Sequence, residues 1–181
     1  MLKYFFIFLS LSVSSSFAGQ LPEMVIGQER IDPGINLIFE GAIKDDVFPS
    51  SNFVSKENSD VHLEVLANWN EDAPSGSPIN GFVAYLRITA QIKNQRDSVE
   101  KIITLLPHIN LSDNLHYALN TKLPGKRDDL YSVKFTIQPP ASSELGLHFD
   151  WMNEVGTFLA KPYTFEYKDL DFSEIANSKR R

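Results

Sequence analysis

Tyr131-Ser132-Val133-Lys134-Phe135-Thr136-Ile137 alternates apolar and polar residues through seven positions. Side chains of a strand point to opposite faces in turn, so this run buries one face and leaves the other toward water. Outward from it, the same period recurs. Ile88, Ala90 and Ile92, with Val83 and Tyr85 before them, run through one long segment ending at Lys93-Asn94. Asn36 to Ile43, Val61 to Trp69, Ile102 to Leu106 and Tyr163 to Tyr167 read as further strands, rich in the β-branched and aromatic residues that strands favour. Between them lie turn-forming stretches at 72–78, 124–128 and 138–142, each built on Pro, Gly, Ser or Asp. No segment sustains a helical apolar face. About seven short strands separated by such turns predict an all-β, single-domain, immunoglobulin-like β-sandwich.

The chain begins with Lys3, an apolar run from Tyr4 to Val13, and Ser16-Phe17-Ala18. That order is the pattern of a secretory signal cleaved after Ala18, and the run falls short of the roughly 20 apolar residues needed to span a bilayer. The organisation expected is therefore a signal over 1–18, one domain over 19–172 and a frayed, flexible tail over 173–181. No cysteine occurs, so a lipid anchor on cysteine is excluded. A thiol-free exported domain fits a bacterial periplasm better than a disulfide-dependent extracellular setting. Loss of 1–18 removes Lys3 alone among charged residues and leaves 16 basic against 23 acidic groups, a net charge of −7. Non-specific nucleic-acid binding, which runs on cationic contacts to phosphate, is excluded on that balance.

Four histidines are present: His62, His108, His116 and His148. Without thiols, a transition metal can be held here only by imidazole, carboxylate or thioether, and imidazole suits copper and zinc. His62 lies two residues before Glu64 in an expected strand, so the two point to one face while Val61, Leu63 and Val65 point to the core. Read from the residues alone, His62 and Glu64 fit a solvent-facing pair on an outer sheet face better than a ligand pair. His108 and His116 flank a polar loop, and their spacing of eight matches no tight metal motif.

The order of short motifs adds to this. Asp60-Val61-His62-Leu63-Glu64 resembles the Asp-x-His-Leu-Glu strand of the periplasmic high-affinity iron-transport proteins, small copper-binding proteins that accompany an iron permease. Phe82 to Leu86 with the strand to Lys93-Asn94, Thr104 to His108, Asp113 to Tyr117, Gly146 to Asp150, and Val155-Gly156 are similar to further motifs of that family, in the same order. The resemblance runs from about Ile26 to Tyr167. It implies metal ligands at His62, Glu64, His116 and His148, and at His108 in the position where the family carries methionine. It also implies a copper cofactor, a homodimer, an inner-membrane iron permease as partner, and iron uptake as the function. Histidine in place of the soft thioether shifts the expected preference toward Cu(II), with zinc or iron as further candidates. Asp113 and Asp150 are candidate partners of ligand imidazoles or ordinary turn residues, and Met152 is a candidate sulfur or a core residue.

Two other functions compete. An exported sandwich for adhesion or assembly needs no metal, because an exposed strand edge can pair with another chain. Hydrolytic motifs are lacking, namely Gly-x-Ser-x-Gly, His-Glu-x-x-His and a cysteine nucleophile. An enzyme therefore enters only as ferroxidase-like or reductase-like redox activity at the same histidines.

Overall fold

The computed structural model describes residues 23–179; the signal read at 1–18 lies outside the described residues. The elements are β1 (Glu23–Ile31), β2 (Ile35–Ala42), β3 (Val61–Trp69), β4 (Arg87–Asn94), β5 (Glu100–Ile109), β6 (Leu115–Thr121), β7 (Leu130–Gln138), α1 (Phe149–Glu154), β8 (Tyr163–Asp171) and α2 (Ser173–Asn177). The strands follow the order β1-β2-β3-β6-β5-β4-β7-β8, and each neighbouring pair is antiparallel. The all-β sandwich expected from alternation is the fold.

Alternation sets the core. Tyr131, Val133, Phe135 and Ile137 of β7 are buried, as are Leu37 and Phe39 of β2, Val61, Leu63 and Val65 of β3, and Ile88, Ala90 and Ile92 of β4. The two layers meet through β5. Its first part, Glu100 to Leu105, pairs with β4, whereas Leu106 to Ile109 pairs with β6. A strand that passes from one layer to the other makes the corner of a sandwich. Pro107 sits in the second part, where β5 has β6 as its ladder partner on one side, a place that tolerates a missing N–H. The Tyr131 hydroxyl donates to the Lys126 carbonyl at 2.7 Å, the corner device of immunoglobulin-like sandwiches. At the far seam β1 bulges at Val25/Gly27, where the Tyr167 ring of β8 occupies the space a Cβ on Gly27 would need. The Tyr167 hydroxyl then donates to the Glu29 carboxylate at 3.1 Å, nearly closing the sheet.

Three local expectations change. The strand expected to begin at Val83 begins at Arg87. Tyr85 adopts φ 67°, and the Tyr117 hydroxyl accepts from Leu86 N–H and donates to the Val83 carbonyl, so side-chain bonding replaces the ladder there. Strands also form at β1 and β6, which sequence reading left unassigned. The tail expected to fray over 173–181 instead forms α2 over Ser173–Asn177, with Ile175 and Ala176 buried. Gly41 lets Phe172 approach the sheet closely, and the Lys44 ammonium donates to the Ala176 carbonyl, so two interactions dock this segment.

Candidate metal centre

The inward residues of β3 build the core; its outward residues build the site. His62 and Glu64 share the outer face, as their spacing predicts, yet both are buried, at 8 % and 2 % exposure. The cover is the connection from residue 43 to 60, which lays Val47, Phe48 and Phe53 along a cavity of about 370 Å³. Directly opposite on β6, Asn120 faces His62 and Ala118 faces Glu64. His116 lies two residues before Ala118, so His62 and His116 approach the Glu64/Ala118 pair from opposite ends. An alanine there leaves room for two imidazoles to fold over the carboxylate. His108 is directly opposite His116 across the β5–β6 hairpin.

The three rings converge. Centroids are 5.4 Å apart for His62 and His108, 6.1 Å for His108 and His116, and 6.2 Å for His62 and His116. One nitrogen from each lies within 4.8 Å of the others. The Glu64 carboxylate stands 3.3 Å from His116 Nε2 and 3.8 Å from His62 Nε2. Hydrogen bonding assigns the protons. His116 Nδ1 lies 3.0 Å from the Asn114 carbonyl, an acceptor only, so this nitrogen carries a hydrogen, and Nε2 is the nitrogen turned to the Glu64 carboxylate. Asn114 sits in the left-handed region, φ 61°, which asparagine tolerates. His108 Nε2 is buried with no hydrogen-bond partner among the described residues. Burial, then the neighbouring His62 and His116, lower the His108 pKa to about 4, so its ring is neutral at pH 7.

Such an arrangement can do one thing well. Three imidazoles and a carboxylate, with one ring nitrogen, His108 Nε2, unpartnered among the described residues, form a donor set for a borderline divalent ion such as Cu(II) or Zn(II). A buried polar atom without a partner is costly in any other setting. Beside this group lies a second one: Glu23, Glu40 and Glu64 bring carboxylate oxygens within 4.8 Å of one another. Burial raises the Glu40 pKa to about 7, with Glu23 and Asp113 adding to the shift.

Of the residues picked from sequence, His62, Glu64, His108 and His116 meet in this one pocket. His148 does not join them within the chain: it is exposed at the N-terminal end of α1, ahead of Phe149, which is 81 % exposed. Asp150 accepts from Trp151 N–H at 2.8 Å rather than from an imidazole, and Asp113 accepts from the Asn110 amide at 2.8 Å. Met152 is not a core residue, being 47 % exposed on α1. Sequence reading missed Asn120, Glu40 and Glu23. Asn120 was within reach, since His116, Ala118 and Asn120 alternate and share a face once β6 is read as a strand.

The model of the family described as Fe2+ transport protein matches residues 20–174. The chain belongs to this family. A UPF0423 protein of Brucella abortus is 26 % identical to this chain over 163 residues, covering 87 % of this chain and 86 % of that protein. A copper-bound single-residue variant of FetP from uropathogenic Escherichia coli strain F11 superposes with a TM-score of 0.67 at 25 % identity, over 81 % of this chain and 95 % of FetP. The copper-reconstituted P19 protein of Campylobacter jejuni shares the fold, with a TM-score of 0.70 at 24 % identity over 81 % of this chain and 94 % of P19. No helix among the described residues is long and apolar enough to cross a membrane.

Proposed function

We propose that this protein is a periplasmic metal-binding component of bacterial iron uptake. It holds copper at His62, His108, His116 and Glu64, works as a homodimer, and passes metal to an inner-membrane permease. The observation that carries this reading is the convergence of three buried imidazoles on one carboxylate, with His108 Nε2 left unpartnered among the described residues. Family membership and the copper-bound FetP relative support it. With imidazole where the family carries a thioether, the pocket favours Cu(II) over Cu(I) and also suits zinc. His148 acts as a ligand supplied by the second copy, which accounts for its exposed place on α1. Iron is cargo rather than cofactor: Glu23, Glu40 and Glu64 offer the hard oxygen donors that Fe(II) and Mn(II) accept. Copper bound next to that group would supply one-electron chemistry.

Calorimetric titration of the apo mature domain with Cu(II), Zn(II) and Mn(II) tests the reading. Tight Cu(II) binding, one per chain, is expected, lost in His116→Ala. Mn(II) binding should depend on Glu40 and be lost in Glu40→Gln. Copper affinity that survives His116→Ala unchanged would end the copper assignment.

A further inference from the structure

Asn120 is a fully buried amide on β6, 1 % exposed and directly opposite His62. Its nitrogen donates to two backbone carbonyls of the covering segment, Asp45 at 2.7 Å and Val54 at 3.0 Å. Both acceptors are carbonyl oxygens, so the orientation of the amide is fixed: the NH2 group must face the segment and the oxygen must face the sheet. That oxygen lies 2.8 Å from His62 Nδ1. An amide oxygen only accepts, so His62 Nδ1 carries a hydrogen, and Nε2 is the nitrogen turned toward Glu64. The same covering segment places the Phe53 ring edge-on to His108, with centroids 4.9 Å apart and planes at 89°.

We propose that Asn120 is a positioning residue that sets the His62 tautomer and couples it to the cover, so that metal occupancy and the order of residues 43–60 rise and fall together. The first half of this concerns the apo protein; the coupling rests on the metal-site reading above. A cation on Nε2 makes Nδ1–H a stronger donor. The bond to the amide oxygen then polarises the amide, and its two N–H bonds to the Asp45 and Val54 carbonyls strengthen in turn. Coupling of this kind is reciprocal, so the ordered segment raises metal affinity by the factor by which metal favours the ordered segment.

Two substitutions separate the halves. Asn120→Asp keeps an acceptor for His62 Nδ1–H but cannot donate to the two carbonyls. Asn120→Ala removes both. The readouts are the 15N shifts of the His62 ring in apo protein, amide hydrogen exchange over residues 43–60 with and without Zn(II), and Zn(II) affinity by calorimetry. In the unsubstituted protein, apo His62 should be protonated on Nδ1, and Zn(II) should slow exchange across 43–60. Asn120→Asp should retain the tautomer, while exchange becomes fast and insensitive to Zn(II) and Zn(II) affinity falls by the factor that the ordered segment contributed. Asn120→Ala should mix the tautomers and lose about 10–100-fold in affinity, the usual effect of removing a group that orients a ligand. An Asn120→Ala protein that keeps the tautomer and the affinity, and only loosens 43–60, would make Asn120 a loop staple and overturn the proposal. Zn(II)-dependent slowing that persists in Asn120→Asp would overturn the coupling. If Asn120→Ala does not fold, apo His62 protonated on Nε2 in the unsubstituted protein overturns the proposal by itself. Absence of metal binding in the unsubstituted protein would sink the metal-site reading, and with it the coupling, while the apo tautomer still decides what Asn120 does to His62.

Discussion

The β3–β5–β6 face and the short helix α1 both present histidine, and they do so in opposite ways. On the sheet, three rings are buried, their nitrogens lie within 4.8 Å of one another, and two have Nδ1 bonded to an oxygen acceptor. On α1, His148 is exposed beside Phe149 and Met152, themselves 81 % and 47 % exposed. Strand pairing explains the first: register fixes which residues lie opposite, and a covering loop with a buried amide finishes the pocket. A six-residue helix at the surface imposes no such order on its side chains. The contrast teaches that three of the histidines are brought together by this chain alone, while the fourth stays at the surface, where the proposed function has a second copy make use of it.

The sharpest break of this contrast is His116→Ala. It removes the ring closest to Glu64 and should lower Cu(II) affinity by more than the roughly 10–100-fold that loss of an outer partner costs. Next is Ala118→Leu. If the missing side chain opposite Glu64 is what lets the imidazoles fold inward, filling it should abolish metal binding, with a destabilisation of about 1–3 kcal/mol from overpacking; calorimetry and thermal unfolding together check it. His148→Ala should act more weakly, about 10-fold, and only at concentrations where the protein is dimeric. An equal loss in monomer and dimer would return His148 to its own chain's site, against the geometry.

The smallest effects are those of pH on the apo protein, and they have opposite signs within one pocket. His108 has a pKa of about 4 when folded and near 6.5 when unfolded. Between those values the unfolded chain takes up a proton that the folded chain refuses, so stability falls as pH drops from 6.5 to 4. Glu40 has a raised value of about 7 against 4.5. There the folded chain keeps the proton, and stability is lost as pH rises from 4.5 through 7. The two effects offset one another where they overlap, so His108→Met should leave stability falling as pH rises from 4.5 to about 7, and Glu40→Gln should leave it falling as pH drops from 6.5 to about 4. The same profile in both variants as in the parent would remove both groups from the account.

Much of the fold is legible in the sequence alone. The alternation of Tyr131 to Ile137 and of Val61 to Val65 depends only on the period of a strand, so the fold class and the core face of β3 follow from local order. The sharing of one face by His62 and Glu64 follows for the same reason. Other features escaped because their causes lie far apart in the chain. The face of His62 and Glu64 reads as solvent-exposed until residues 43–60 cover it. Leu115 to Thr121 carries polar residues on its outer face, so β6 and Asn120 were hidden. Ile175 anchors a tail that composition marks as frayed. His108 and His116 become partners only through the register of a hairpin.

The sequence by itself thus determined what depends on neighbours along the chain: strands, their two faces, the exclusion of thiol chemistry, and a ligand inventory limited to imidazole, carboxylate and thioether. Only the tertiary structure decided which of those ligands meet, which nitrogen of each ring faces the pocket, and which histidine stays outside. The reason is physical. Side-chain direction is set by local backbone geometry, whereas convergence and tautomer are set by pairing register and by hydrogen bonds between segments 58 residues apart, as between His62 and Asn120.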